Sequence, residues 1–256
     1  MSNTRLPAVM PPAHQPSWPF PHLLAHRGGG SLAPENTLAG LRAAVAHGFR
    51  AVEFDAKLTR DGVAILMHDD TLDRTTNGHG PIARADWRTV KRLDAGGRLT
   101  RFAGEPIPTL AAALDLCREL SLWPNVEIKP CTGREQETGT VVAEEVLRRW
   151  MEPTPALLSS FSPVALEAAR EAAPRLPRGL LVTEVPSDWR ERLDRLGCFS
   201  LHCEQRAATE ALLKEATTAG YPILCYTVNS ADTARLLLSR GVSAIVTDRL
   251  DLISPA

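Results

Sequence analysis

The chain has almost no surplus of charge: 29 Lys and Arg stand against 30 Asp and Glu, a formal net charge of −1 over 256 residues. A general nucleic-acid binder carries a clustered basic excess, so no nucleic-acid partner is expected. No apolar run approaches the ~20 residues of a membrane-crossing helix, and no membrane span is expected either. Cysteine is sparse and unpaired in sequence. Cys117, Cys131, Cys198, Cys203 and Cys225 are odd in number and include no Cys-x-x-Cys pair, which suggests neither a disulfide framework nor a zinc knuckle. A reducing compartment is the simplest expectation. The amino terminus also lacks the basic region and apolar stretch of a signal peptide. Its prolines at positions 7, 11, 12, 16, 19 and 21 make residues 1–22 read as a loose, proline-rich leader, and a cytoplasmic location is expected.

With 44% hydrophobic residues the remainder is an ordinary globular chain, long enough for one large core. From residue 23 onward, short apolar runs alternate with Ala-, Leu-, Arg- and Glu-rich segments at helical spacing. Candidate strands fall at 23–26, 51–57, 63–68, 125–129, 156–160, 179–183, 199–202, 223–228 and 244–247. Candidate helices fall at 37–47, 109–121, 135–150, 163–172, 187–196, 206–219 and 230–240. This order predicts right-handed βαβ units and a parallel sheet. Nine strands are one too many for an eight-stranded barrel. The Asp61-Gly62 step between the second and third runs is a hairpin signal, and pairing those runs as a hairpin leaves eight. The alternation fails only at 69–108, which is polar, turn-rich and far longer than an ordinary βα loop.

In parallel barrels the chemistry sits at the carboxyl ends of the strands. There the sequence places His26-Arg27, Glu53 and Asp55, His68, and Glu127 and Lys129. Alternate residues on a strand share a face, so Glu53 projects with Asp55, and Glu127 with Lys129. One buried carboxylate is explained by an ion pair. Three at one barrel end repel, and a divalent cation relieves that; all-oxygen ligands select a hard ion, Mg²⁺ or Ca²⁺. His26 and His68 are the natural proton-transfer pair. His14, His22, His47, His79 and His202 lack this company and read as structural, His202 least securely. Arg27 offers a planar fork and Lys129 a compact charge, both suited to phosphate. A rival reading takes Gly28 to Ala33 as a dinucleotide-binding turn, G-x-G-x-x-A. It places Pro34 where helix is needed, whereas Asn36-Thr37 looks like the helix start, and it leaves His68 and Glu127 without a role.

The strings AHRGGGSLAPENTLAG at 25–40, VEFDAKLTRDGVAILMHDDTLDRTTNG at 52–78, NVEIKP at 125–130, LSSF at 158–161, YTVN at 226–229 and VTD at 246–248 resemble the glycerophosphodiester phosphodiesterase family, closest to its bacterial cytoplasmic members associated with glycerol 3-phosphate uptake. The resemblance implies a TIM (β/α)8 barrel over 23–256 as one domain, with 69–108 as the insertion. It implies hydrolysis of a small glycerophosphodiester to sn-glycerol 3-phosphate and an alcohol. By the same resemblance the cation falls to Glu53, Asp55 and Glu127, the catalytic histidines to His26 and His68, and phosphate contacts to Arg27 and Lys129. Glu35, in the Pro-Glu-Asn-Thr string, is expected either to orient Arg27 or a metal-bound water or to be a helix-start acid favoured by the helix dipole. Tyr226 stands where many members carry Trp and is expected to stack on substrate. Phe161 and Asn229 are motif positions for which packing and turn formation suffice. Other expectations are a phosphodiesterase acting on lysophospholipids or cyclic phosphodiesters, and a barrel that binds glycerophosphate compounds without turning them over. The nucleophile is either water or the glycerol's own hydroxyl.

Overall fold

The computed structural model describes residues 17–253 except 98, together with residue 255. Among these residues nine strands follow one another in chain order, separated by helices except where a turn joins the second to the third. β1 (Leu23–Ala25), α1 (Leu38–Ala46), β2 (Ala51–Leu58) and β3 (Ala64–Leu66) lead into α2 (Trp87–Val90) and α3 (Leu110–Glu119). Then come β4 (Trp123–Ile128), α4 (Glu135–Arg149), β5 (Leu157–Ser160), α5 (Pro163–Ala172), β6 (Arg178–Val182) and α6 (Trp189–Leu196). The chain finishes with β7 (Ser200–Glu204), α7 (Glu210–Ala219), β8 (Ile223–Tyr226), α8 (Ala231–Ser239) and β9 (Ala244–Thr247).

Eight of the strands are parallel and close on themselves: β1 pairs with β9 on one side and with β2 on the other. This is the TIM barrel expected from the alternation. The ninth strand is β3, which runs antiparallel to β2 with Lys57 opposite Ile65, so the Asp61-Gly62 turn does form a hairpin. Helix starts follow their capping residues. The hydroxyls of Thr37, Thr109, Ser162, Thr209 and Ser230 accept from backbone N–H groups in the first turns of α1, α3, α5, α7 and α8. The candidate helix at 206–219 divides: a single 3₁₀ turn at Gln205–Ala207 precedes the Thr209 cap, and α7 begins only after it.

Two apolar cores hold the molecule. The large one lies between the barrel and its helices, built from side chains such as Leu24, Phe54, Val126, Leu158 and Leu201. The smaller one belongs to the insertion, where Leu72, Ile82, Val90, Ala95 and Ile107 pack on Ile65 and Met67 of the hairpin. That satellite core is why a 40-residue polar-looking stretch is ordered: these five of its residues are buried in it, and much of the rest supplies turns.

The end of the leader departs from the expectation of a loose segment. Residues 1–16 lie outside the described residues, but Trp18 and Phe20 reach the amino-terminal end of the barrel. Phe20 is buried and stacks on Trp123 at 4.3 Å, while Trp18 stacks on Phe199 at 5.9 Å. Prolines 19 and 21 hold this stretch extended so that both rings face the barrel. The four rings cluster at this end, opposite the histidines. Phe20→Ala is expected to cost about 3 kcal/mol of stability through the cavity it leaves, with kcat unchanged; urea unfolding alongside an activity assay checks both.

Candidate active site

At the carboxyl end the strand alternation brings the expected carboxylates together. Glu53 and Asp55 on β2 and Glu127 on β4 each present an oxygen, and these atoms lie within 4.8 Å of one another. All three residues are buried. The register explains the closeness, since Asp55 sits directly opposite Glu127 on adjacent parallel strands. Burial, reinforced by the charge of Asp55, raises the pKa of both Glu53 and Glu127 above the ordinary 4.5.

The surrounding groups hold this cluster open rather than neutralise it. Asn36 donates to Asp55 Oδ2 at 2.8 Å and accepts from the Asp55 backbone N–H at 3.0 Å. Lys129 donates to Glu127 at 2.7 Å and lies 3.9 Å from Asp55. The Arg27 backbone N–H donates to Glu53 Oε2 at 3.1 Å, which requires Arg27 to adopt a left-handed φ of 49° as the chain leaves β1. The other oxygen, Glu53 Oε1, is buried without a hydrogen-bond partner among the described residues. A buried all-oxygen set with an orphaned carboxylate atom fits a hard divalent cation.

Both histidines line one cavity of about 230 Å³ together with Arg27, Glu53, Glu127 and Lys129. Each has one ring nitrogen fixed by a carboxylate that the sequence reading did not assign. His26 Nδ1 is 2.6 Å from Asp248, and His68 Nδ1 is 2.7 Å from Asp69. Asp248 is itself held by Asn229, which donates to its carboxylate at 3.0 Å and accepts from its backbone N–H at 2.8 Å. So Asn229 does more than form a turn. Burial opposes charging of His26, but the Asp248 hydrogen bond and the charge of Glu53 prevail and raise its pKa. For His68 burial prevails, and its pKa is lowered. The signals for these partners were the His68-Asp69 adjacency and an acid directly after the last strand.

Glu35 lies between two guanidinium groups, accepting from Arg27 at 2.9 Å and from Arg74 at 2.6 and 2.7 Å. Arg74 comes from the insertion and also grips Asp69, at 2.6 and 2.8 Å. The result is an ionic chain from Asp55 through Arg27, Glu35, Arg74 and Asp69 to His68. Arg74 was missed because one arginine in a polar loop carries no signal of its own. Tyr226 turns its ring toward the cavity, but its hydroxyl donates to the Val182 carbonyl at 2.8 Å, so it is the aromatic face that is available. Phe161 meets Tyr226 edge-on, and the Lys129 ammonium lies 5.2 Å from the Phe161 ring centre. A wider groove of about 510 Å³ opens outward from His68 and Lys129 past Lys57, Pro130, Glu135 and Phe161.

The other histidines stand apart. His22 meets the Ser243 carbonyl, His47 that of Ala43 and His79 the carboxylate of Asp73; His14 lies outside the described residues. His202 is different: it is fully buried and lines the cavity floor. The rival dinucleotide turn does not form, for α1 begins only after the Thr37 cap and residues 27–32 fold against the barrel mouth. Gly30 shows why that turn is glycine-rich, since a Cβ there would stand 2.3 Å from the Asp248 carbonyl oxygen.

Comparison with known proteins now decides the family. The model of the glycerophosphoryl diester phosphodiesterase family matches residues 26–252. The chain belongs to this family, and it is a phosphodiesterase. A glycerophosphodiester phosphodiesterase of Caldanaerobacter subterraneus subsp. tengcongensis is 32% identical over 232 residues, covering 88% of this chain and 93% of that relative. Among solved structures, an Oleispira antarctica phosphodiesterase in complex with the product sn-glycerol-3-phosphate superposes with a TM-score of 0.87 at 38% identity, over 90% of this chain and 94% of that one. A glycerophosphodiester phosphodiesterase from Agrobacterium tumefaciens gives 0.77 at 28% identity, over 91% and 98%.

The crowded carboxylates carry a stability consequence. Glu53, Glu127 and His26 all hold protons more tightly in the folded chain than in the unfolded one. Stability of the metal-free protein is therefore expected to be greatest near the carboxylates' ordinary 4.5 and to fall as pH rises toward neutrality. Added Mg²⁺ or Ca²⁺ is expected to raise the melting temperature more at about pH 8 than at about pH 5. Thermal melts after EDTA treatment, with and without cation, measure this.

Proposed function

We propose that this enzyme hydrolyses small glycerophosphodiesters to sn-glycerol 3-phosphate and an alcohol, with His26 and His68 as the proton-transfer pair. The observation that carries the reading is the convergence on one cavity of two carboxylate-oriented histidines, the carboxylate triad, and the cations of Arg27 and Lys129. The product named for the Oleispira antarctica structure supports the same assignment.

Glu53, Asp55 and Glu127 would hold one Mg²⁺ or Ca²⁺, which when bound supplies Lewis acidity toward phosphoryl oxygens. Arg27 and Lys129 bind the phosphoryl group and stabilise charge as it builds there. One histidine takes the proton of the attacking group, either water or the glycerol's own hydroxyl by way of a cyclic phosphate that water then opens, and the other returns a proton to the departing alkoxide. Asp248 and Asp69 fix the ring orientation of each. Glu35 and Arg74 fix Arg27 and Asp69 in turn, and the faces of Tyr226 and Phe161 border the substrate. The proposed location is cytoplasmic, supported by five cysteines that are all free and buried.

Release of glycerol 3-phosphate from glycerophosphocholine and glycerophosphoethanolamine tests the reading. Release is expected from both, lost with EDTA and restored by Mg²⁺ or Ca²⁺; folded protein that releases none overturns it. His26→Ala and His68→Ala are each expected to lower kcat by about 10²–10⁴. Near-full turnover in either variant removes that histidine from the reaction.

A further inference from the structure

The groove that leads outward from the catalytic cavity carries a charge that its own side chains do not balance. It holds about 510 Å³ and shares His68, Glu127, Lys129 and Phe161 with the cavity, so a substituent on phosphorus that points outward lies in it. Four further charged side chains line it: Lys57, Asp69, Asp70 and Glu135. Three of these are already engaged. Asp69 is held by His68 and Arg74, and Lys57, with 1% of its side chain exposed, pairs with Asp70. Lys129 meets Glu127 at 2.7 Å.

Glu135 is left over. It is the first residue of α4, where the start of a helix favours a negative charge. Arg134 beside it is taken by Glu137 at 2.8 Å and by the Thr59 carbonyl at 2.6 Å. Glu135 accepts from the Gly133 backbone N–H at 3.1 Å, and among the described residues no cation pairs with it. The second feature of the groove is Phe161, a large apolar side chain that is 42% exposed. Lys129 stands 5.2 Å from the centre of that ring, but its charge is met by Glu127 and, with substrate bound, by phosphate. An unpaired carboxylate and an exposed aromatic ring in one groove match an alkylammonium group, which is attracted by the charge and by the ring face together.

We infer that this groove selects a positively charged alcohol, and that Glu135 is the residue that determines the selection. The inference rests on the proposed hydrolysis of glycerophosphodiesters and names their class: diesters of amino alcohols, whose ammonium group is received by the Glu135 carboxylate and the Phe161 ring. Both features are open to water, so the preference is moderate and electrostatic in origin. Because the ammonium group takes no part in bond breaking, the interaction acts on binding and leaves the chemical step alone.

The test compares glycerophosphoethanolamine with its neutral isostere, the ethylene glycol diester, in which a hydroxyl replaces the ammonium group. The wild-type enzyme at low ionic strength is expected to favour the ethanolamine diester by about fivefold in kcat/KM. Glu135→Gln keeps an oxygen for the Gly133 N–H and removes the charge. In this variant the ratio is expected to fall to about one, through a higher KM for the ethanolamine diester, with its kcat and both constants of the neutral diester unchanged. A structural lesion would lower both substrates by one factor; that result, a preference that survives Glu135→Gln, or a wild-type enzyme that does not discriminate overturns the assignment. Should Glu135→Gln not fold, salt decides: the wild-type preference is expected to shrink toward one in about 0.5 M NaCl, and a preference that holds there overturns the assignment. Wild-type protein that turns over neither diester with Mg²⁺ or Ca²⁺ present overturns the proposed reaction itself, a result distinct from equal turnover of both.

Discussion

Mutual repulsion among three buried carboxylates is the constraint around which the mouth of this barrel is arranged. Their closeness is imposed by parallel register, which sets Asp55 beside Glu127, and by alternation, which turns Glu53 to the same face. Removing such groups from water costs several kcal/mol each unless partners are held in good geometry. Every neighbouring polar group answers that cost partially: Asn36 clamps Asp55, Lys129 meets Glu127, and the backbone of Arg27 reaches Glu53. None of them closes Glu53 Oε1, and this incompleteness is the feature that suits the site to a hard cation.

The insertion is tied to the same constraint. Arg27, needed beside Asp55, is steadied by Glu35, and Glu35 is shared with Arg74 from the insertion, which in turn fixes Asp69 against His68. Single exposed ion pairs contribute little, but a linked and partly buried chain of bidentate contacts holds geometry well. The small apolar core under the insertion gives Arg74 a rigid base. Orientation of the His68 ring thus depends on packing between Leu72, Ile82 and Val90, in a different core from the barrel's own.

The barrel was legible because its signals are local and repeated: short apolar runs alternating with segments at helical spacing, and one Asp-Gly turn that marked the antiparallel strand. The triad was legible by the same alternation, once strand ends were taken as the place for chemistry. Asp248, Asn229 and Arg74 were not assigned because their roles arise from contacts across 19 to 222 residues of chain, which spacing does not encode. The place of His202 was hidden for the opposite reason. Its position on a strand was plain, but whether a strand residue faces the barrel interior or the helices depends on register, and its glycine neighbour lies on another strand. The aromatic end of the leader was hidden among prolines that read as disorder.

The ring stack of Trp18, Phe20, Trp123 and Phe199 covers the amino-terminal end of the barrel, opposite the cavity that holds both histidines. With that end covered, a ligand that enters at the carboxyl end leaves by the same end. For a diester split at phosphorus, the fragment nearer the mouth departs first and the deeper one waits behind it. Release ordered by depth lets the last fragment, and not the first, re-enter an empty enzyme and compete with fresh substrate.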